Sequence, residues 1–421
     1  MSDTGLPARR SAVYLLDQIL GEGRLMSELL GAGALDRLAP EDRARAARLA
    51  MDTLRGLERA DRILQKHLSK YPPLTVRNAL RVGTVELCQG GAGHGVVNAM
   101  VELVSRHNRL GHLKGLTNAV LRKVATDGPA AWEALRPPRL PKWLRGPLAE
   151  AWGNDAMAAM EAAHFAGAPL DLTARSDAGA VARATGGTVL PTGSVRVVDA
   201  GQVSAMPGFE AGDWWVQDAA AAMPVQILAP QPGEDILDLC AAPGGKTMQM
   251  AAAGAKVTAV DDSPARMERV RENLTRTKLQ ASLVTSDVRQ VTGRFDAILL
   301  DAPCSATGTI RRHADLPHAK DGSEFGDLIA LQEEFLDHAW SLLKPGGRMV
   351  FCTCSLLPDE GEVQIDEALA RHADMTASTP HLPGTEPGWY TEEGGLRLRP
   401  DYWAEQGGMD GFYIALLHKS A

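Results

Sequence analysis

The chain has 421 residues, 45% of them hydrophobic and 23% charged, with a formal net charge of −8. This composition excludes a disordered or collagen-like chain, and no apolar run reaches the roughly 18 residues that a membrane helix needs. The length predicts two or three domains.

The opening residues, Met1 to Arg10, lack the apolar core of a secretion signal, so a cytoplasmic location is expected, with no membrane partner. Five cysteines without repeated C-x-x-C pairs argue against a disulfide framework and against a zinc module; reduced thiols and no metal are expected. Charge is uneven. Residues 1–150 carry 23 Lys/Arg against 15 Asp/Glu, whereas 151–421 carry 21 against 37. A basic arm on an acidic body suits capture of a polyanion, since neutralising phosphates releases counterions. A plain solvated helical surface would carry the same charge.

In chain order, residues 8–125 read as helix after helix. Ala44, Ala47, Leu54, Leu57, Ile63 and Leu64 recur at helical spacing within 41–68, Pro72-Pro73 ends that run, and further helical patterns cover 96–106 and 111–124. An all-α domain over 1–135 is predicted. The proline cluster at 136–141 reads as a linker opening a small α+β connector to 212, with helical patterns over 143–165 and a strand at Leu170 to Ala174.

From 213 the pattern becomes alternating strands and helices. Apolar strands are predicted at 235–239, 256–260, 281–284, 295–300 and 348–351, with helices over 263–279 and 327–343. This alternation predicts an α/β, Rossmann-like, mostly parallel doubly wound sheet over 213–421, with ligands beyond the strands' carboxyl ends.

After the first of these strands stands Cys240-Ala-Ala-Pro-Gly-Gly-Lys-Thr247, a tight turn into a helix whose free N–H groups suit an anionic ligand end. On its own the Gly-Gly turn is equally a plain strand-to-helix connection. Asp261, Asp287 and Asp301 then end successive strands. A carboxylate at the second strand's end suits ribose hydroxyls and one further on suits an adenine amino group, which describes an adenosine-containing cofactor. Each alone is equally a cap or turn former; Asp262 reads as a solvated turn residue. Two thiols end strands as well: Cys304 in Asp301-Ala-Pro-Cys-Ser305, and Cys354 in Cys352-Thr-Cys-Ser355. Cys88 reads as a small buried hydrophobe, and Trp214 and Trp215 as packing residues.

The runs Leu237 to Thr247, Asp301-Ala-Pro-Cys-Ser-Ala-Thr-Gly308 and Thr353-Cys-Ser355 resemble the NOL1/NOP2/Sun group of S-adenosylmethionine-dependent RNA cytosine-C5 methyltransferases. Val216-Gln-Asp218, Ile310-Arg-Arg-His313 and the helical N-terminus are most similar to its bacterial 16S rRNA branch, the RsmB/Fmu/Sun family. Gly115 to Arg122 resembles the last helix of a NusB-like RNA-binding domain. The resemblance implies S-adenosyl-L-methionine as cofactor, lined by Cys240, Ala241, Ala242, Pro243, Gly244, Gly245 and Lys246, with Asp261 on the ribose and Asp287 on the adenine. It places Asp301 near both cofactor and target base. It implies Cys354 as nucleophile and Cys304 as the residue aiding product release. Position 352, usually small and not a thiol, is Cys here.

Such chemistry fits these residue types. Cytosine C5 is a poor nucleophile until a thiolate adds to C6, and covalent catalysis divides the difficult step. Asp301 is expected to meet ring N3 as a protonated carboxyl. The base must leave its stack, which favours single-stranded RNA. Arg311, Arg312 and His313 are expected either to meet RNA phosphates or to form a plain exposed basic loop. The expected partner is 16S ribosomal RNA, not DNA, acted on by a monomer. Two rivals are a methyltransferase acting on tRNA or another rRNA site, and a non-catalytic NusB-type assembly factor. A DNA enzyme would use the Pro-Cys thiol as nucleophile and would not need Cys354.

Overall fold

Helix boundaries in the first third follow local chemistry. In a computed structural model that describes residues 5–198 and 200–421, this region forms α1 (Leu6–Glu22), α2 (Met26–Gly31), α3 (Pro40–Arg55), α4 (Leu57–Gln65), α5 (Leu74–Cys88), α6 (Gly93–Ser105), α7 (Lys114–Glu133) and α8 (Lys142–Ala166). Proline opens α3 with Glu41 and Asp42 in its first turn, where an N-terminus favours a missing N–H and negative charge. The helical run expected over 41–68 breaks at Gly56, where an added Cβ would meet the Trp132 ring at 2.5 Å. Leu15, Leu16, Ile19, Leu54, Leu80 and Leu121 are among the buried residues of this unit's core.

By its contacts the chain separates into two units, Met1–Gly167 with Ile310–Asp321, and Ala168–Thr309 with Gly322–Ala421. The boundary expected near 135 therefore differs from the one at Gly167. The reason is charge: Arg59 donates to the Arg136 carbonyl at 2.9 Å, and Glu58 accepts the Arg139 N–H at 2.6 Å. The proline segment is thereby bonded to the helical unit. The returning segment is held the same way: Asp315 accepts the Met26 N–H at 2.7 Å, Arg55 donates to the Arg311 carbonyl at 3.0 Å, and Trp143 Nε1 donates to the Pro317 carbonyl at 3.2 Å. Arg311, expected on an exposed loop, is fully buried, whereas Arg312 and His313 are exposed.

The second unit opens with β1 (Leu170–Ala174), α9 (Ala178–Thr185), β2 (Thr188–Val189), β3 (Val195–Val197) and β4 (Trp214–Val216), whose sheet has the antiparallel order β2-β3-β1-β4. The first strand has the bounds predicted for it. Trp214 and Trp215 are buried, packing as expected. After α10 (Ala219–Leu228) come β5 (Asp235–Leu239), α11 (Gly245–Ala252), β6 (Lys256–Asp261), α12 (Pro264–Thr277), β7 (Ser282–Thr285) and β8 (Phe295–Asp301). Next are α13 (Leu316–Ala319), inside the segment returned to the first unit, then α14 (Phe325–Leu342), β9 (Leu343–Thr353), α15 (Glu362–Arg371), β10 (Met375–Ser378), β11 (Leu396–Leu398) and β12 (Phe412–Lys419).

The parallel strands run β7-β6-β5-β8-β9. Antiparallel β12 pairs with β9, and both β10 and β11 pair with β12, an edge the sequence reading left out. Leu237, Leu239, Ile298, Leu300 and Phe351 face one core, while Ile236, Val257, Ala297, Leu299 and Val350 face the other. The sheet is thus apolar on both faces and doubly wound, as parallel strands covered by helices require.

Candidate active site

The strand-end aspartates, the glycine turn and the two thiols read from the sequence fall at the carboxyl edge of this sheet. The turn after β5 begins with Cys240 at φ 60° and enters α11 through Gly244 at φ 98°, a left-handed conformation that favours glycine. A Cβ on Gly244 would also press on the Val270 side chain at 3.0 Å. Asp261, ending β6, is buried and accepts the N–H groups of Ala242 at 3.2 Å and Ser263 at 3.1 Å, with Arg266 3.3 Å away. Asp287 follows β7 and accepts from the backbone and guanidinium of Arg289. Bonding to the Arg289 side chain holds its carboxyl down to about 2, so it stays ionised.

These residues open onto a cleft of about 400 Å³. Cys240 and Ala242 contribute from the glycine turn, and Leu331 and Phe335 add an apolar wall from α14. Ala241, Pro243, Gly244, Gly245 and Lys246 do not contribute to its wall. Four carboxylates line it (Asp261, Asp262, Asp287 and Asp301) against two guanidiniums, Arg266 and Arg289. That surplus of negative charge, with an apolar wall, fits a cationic adenosine cofactor such as S-adenosylmethionine. Asp262 is exposed as expected of a turn residue, yet it lies on the cleft rim.

Cys304 and Cys354 line the same cleft, and their Sγ atoms are 3.5 Å apart. Two backbone bonds join their loops, Ala302 N–H to the Cys352 carbonyl and Gly308 N–H to the Cys354 carbonyl, each 2.9 Å. Its bond to Cys354, then burial, push the Cys304 thiol well up. Cys304 therefore keeps its proton and can donate it to the Cys354 sulfur.

Asp301 and Cys352 are register partners on β8 and β9, which is why Cys352 Sγ lies 3.4 Å from the Asp301 carboxylate. Cys352 is fully buried; burial and then Asp301 push its thiol well up, so it remains an inert thiol. Cys88 is also buried, its thiol raised to about 12 by burial.

Lys246, assigned from the sequence to the cofactor loop, instead places Nζ 2.7 Å from Asp301 Oδ2. Burial alone would pull its ammonium down; Asp301, through its charge and its hydrogen bond, leads the neighbours that together outweigh burial and hold it protonated. Asp301, expected as a proton-bearing group, is thus the ion-pair partner of Lys246.

Glu360, which the sequence reading missed, ties the two thiol loops together. Its carboxylate accepts Ser305 N–H at 2.8 Å, Ser305 Oγ, and Gln332 Nε2 at 3.0 Å, while its carbonyl accepts Thr353 Oγ1 at 2.7 Å. It belongs to no motif, and the only sequence signal is its place six residues beyond Cys354.

Comparison with known proteins agrees with this geometry. Residues 225–418 match the model of the 16S rRNA methyltransferase RsmB/F family, and residues 6–126 match the NusB family. Ribosomal RNA small subunit methyltransferase B of Erwinia tasmaniensis is 35% identical over 439 residues, covering 97% of each chain. The Vibrio cholerae protein of that name is 34% identical over 441 residues, covering 98% of this chain and 97% of its own. The crystal structure of PH0851 has the same fold, with TM-score 0.76, 22% identity, and 100% of this chain and 99% of that chain covered. A methyltransferase homolog from Pyrococcus horikoshii is 27% identical with TM-score 0.56, covering 66% of this chain and 95% of its own. With an N-terminal NusB-family domain, a methyltransferase fold and near-full-length likeness to these relatives, the chain belongs to the RsmB/F family of methyltransferases.

Proposed function

We propose that this protein methylates C5 of a cytosine in 16S rRNA through a covalent adduct between Cys354 and C6, resolved with help from Cys304. The observation that carries the reading is the 3.5 Å thiol pair in the wall of the carboxylate-lined cleft. Two thiols in contact beside a cofactor cleft suit a reaction that must both add a sulfur and expel it. The names of the relatives, which act on small-subunit rRNA, support the substrate class.

Bound in the cleft, S-adenosylmethionine supplies an electrophilic methyl group for C5. The reading gives its ribose to Asp261 and its adenine to Asp287, both in the cleft wall. On the target side, Asp301 and Lys246 present an acceptor and a donor 2.7 Å apart. Cytosine's edge carries the complement, an N4 amino donor beside an N3 acceptor. Lys246 thereby stabilises the negative charge that enters the ring as the Cys354 thiolate bonds to C6 and the C5–C6 electron pair shifts to C5. After C5 is methylated, its proton passes to solvent water, and the electron pair it leaves re-forms the C5–C6 double bond as the C6–S pair departs to Cys354, whose thiolate accepts a hydrogen bond from the Cys304 S–H.

Mapping 5-methylcytosine in RNA from cells with and without the gene tests this reading. Loss of the mark at a 16S cytosine is expected. Unchanged 16S rRNA, with or without a lost tRNA mark, would overturn the substrate assignment.

A further inference from the structure

The first unit contains a second cavity, of about 320 Å³, that the chemistry above does not use. Its wall is formed by α3, α4, α8, the 138–141 segment and the returning segment, and Leu54, Leu57, Phe165 and Pro317 give it apolar faces among charged residues. His164 on α8 lines it, only 6% exposed, with neither ring nitrogen hydrogen-bonded. Arg55 also lines it. Its Nη1 is bonded to Asp52 and its Nη2 to the Arg311 carbonyl, but its buried Nε has no partner. Buried polar groups are nearly always paired, and leaving one unpaired costs roughly 1–3 kcal/mol. Unpaired groups in such a cavity mark where a ligand's complementary groups belong.

The carboxylates of the wall do not supply that complement, because each is already bonded to an arginine: Glu58 to Arg62 and Arg136, Asp61 to Arg81, and Glu161 to Arg145. Burial, then the charges of Arg311 and Arg55, push the His164 ring down to about 3 and keep it neutral. A neutral imidazole offers one N–H donor and one acceptor. That pattern fits a planar, uncharged group with donors and acceptors along one edge better than it fits an anion. The volume lies at the small end of the roughly 300–1,000 Å³ typical of ligand sites. At the cavity's edge, Arg62 and Arg139 are at least partly exposed and suit a phosphate attached to the same group.

We infer that this cavity receives one unstacked nucleobase of the RNA substrate, with His164 and Arg55 Nε hydrogen-bonding its edge and Phe165 and the leucines packing its faces. Sequence-reading of RNA through splayed-out bases has this character. The inference rests on the reading of RNA as substrate.

Full-length protein carrying ¹³C-labelled histidine, titrated separately with AMP, GMP, CMP and UMP, tests it through the His164 ring signals, assigned by their loss in His164→Phe. At least one nucleotide is expected to shift those signals saturably. His164→Phe should weaken that nucleotide's binding about tenfold, as loss of a buried hydrogen bond does. Leu57→Trp, which fills the cavity from another wall, should abolish the shift while the remaining histidine signals report an intact fold. No shift with any nucleotide would overturn the inference, as would an equal shift with inorganic phosphate. If the titration fails while the wild-type protein still forms 5-methylcytosine in rRNA, only the pocket falls; if methylation is absent, the reading beneath it falls.

Discussion

Glu360→Gln probes how the two thiols are held at working distance. The substitution keeps the side chain's volume and leaves the backbone bond from Thr353 in place, but its amide offers one acceptor oxygen where the carboxylate offers two. Ser305 N–H and Gln332 Nε2 share Oε1, and Ser305 Oγ uses Oε2, so all three bonds lose the carboxylate's charge and Ser305 Oγ must turn to accept from the new NH₂. Charge-assisted bonds are worth about 1.5–3 kcal/mol against about 1 kcal/mol for neutral ones, so a stability loss of about 2 kcal/mol is expected in urea unfolding. The Cys304 loop loses its anchor, and a displacement near 1 Å at a reacting group lowers the rate about a hundredfold. Single-turnover methylation should show that fall while KM for S-adenosylmethionine is unchanged, since Glu360 does not line the cleft. The charge of Glu360 is also one of the causes raising the Cys304 thiol, so alkylation of Cys304 in a Cys354→Ala background should begin at lower pH. A variant with wild-type turnover and an unmoved alkylation profile would refute the role given to Glu360.

Two further substitutions test the frame around the site. Gly308→Ala would place a Cβ 2.0 Å from the Gly411 carbonyl oxygen and 2.8 Å from that of Cys354, both backbone atoms that cannot swing aside. It should cost several kcal/mol, on the order of severe overpacking, and separate the thiols, read as a lower urea midpoint and lost methylation. Asp238 is fully buried, accepts Thr247 Oγ1 at 2.5 Å, and has its carboxyl raised by burial to about 7 from 3.8. Its pKa is raised, so the native state holds the proton longer than the unfolded chain. The stability this gives is full below about pH 4 and is lost as pH rises to about 7, a swing of about 4 kcal/mol. Asp238→Asn should remove that slope and be the more stable protein above neutrality; parallel urea midpoints from pH 4 to 8 in both proteins would contradict it.

Legibility in the sequence followed how local each determinant is. The strands at 170–174 and 235–239 were readable because apolar runs bounded by turn residues need nothing beyond their neighbours. Asp301, Cys304 and Cys354 were readable because strand ends in an alternating pattern fall on one edge of the sheet. The pairing of Lys246 with Asp301 was not legible, since it is the pairing of β5 with β8 that brings the two together. Glu360 was invisible because its partners Ser305 and Gln332 are distant in sequence and joined to it only by packing. Arg311 looked solvent-facing because its short basic run gives no sign that the segment is buried in the helical unit, where Arg55 bonds its carbonyl. β12 escaped notice as an antiparallel strand added beyond the repeating pattern.

The central claim is that Cys354 attacks the base and Cys304 releases it. Incubating each alanine variant with S-adenosylmethionine and 16S rRNA, then separating protein-linked RNA on a denaturing gel, tests it directly. Cys304→Ala should accumulate a covalent protein–RNA adduct, because sulfur adds but leaves slowly, whereas Cys354→Ala should form none and transfer no methyl group. An adduct or full methylation with Cys354→Ala would contradict the account.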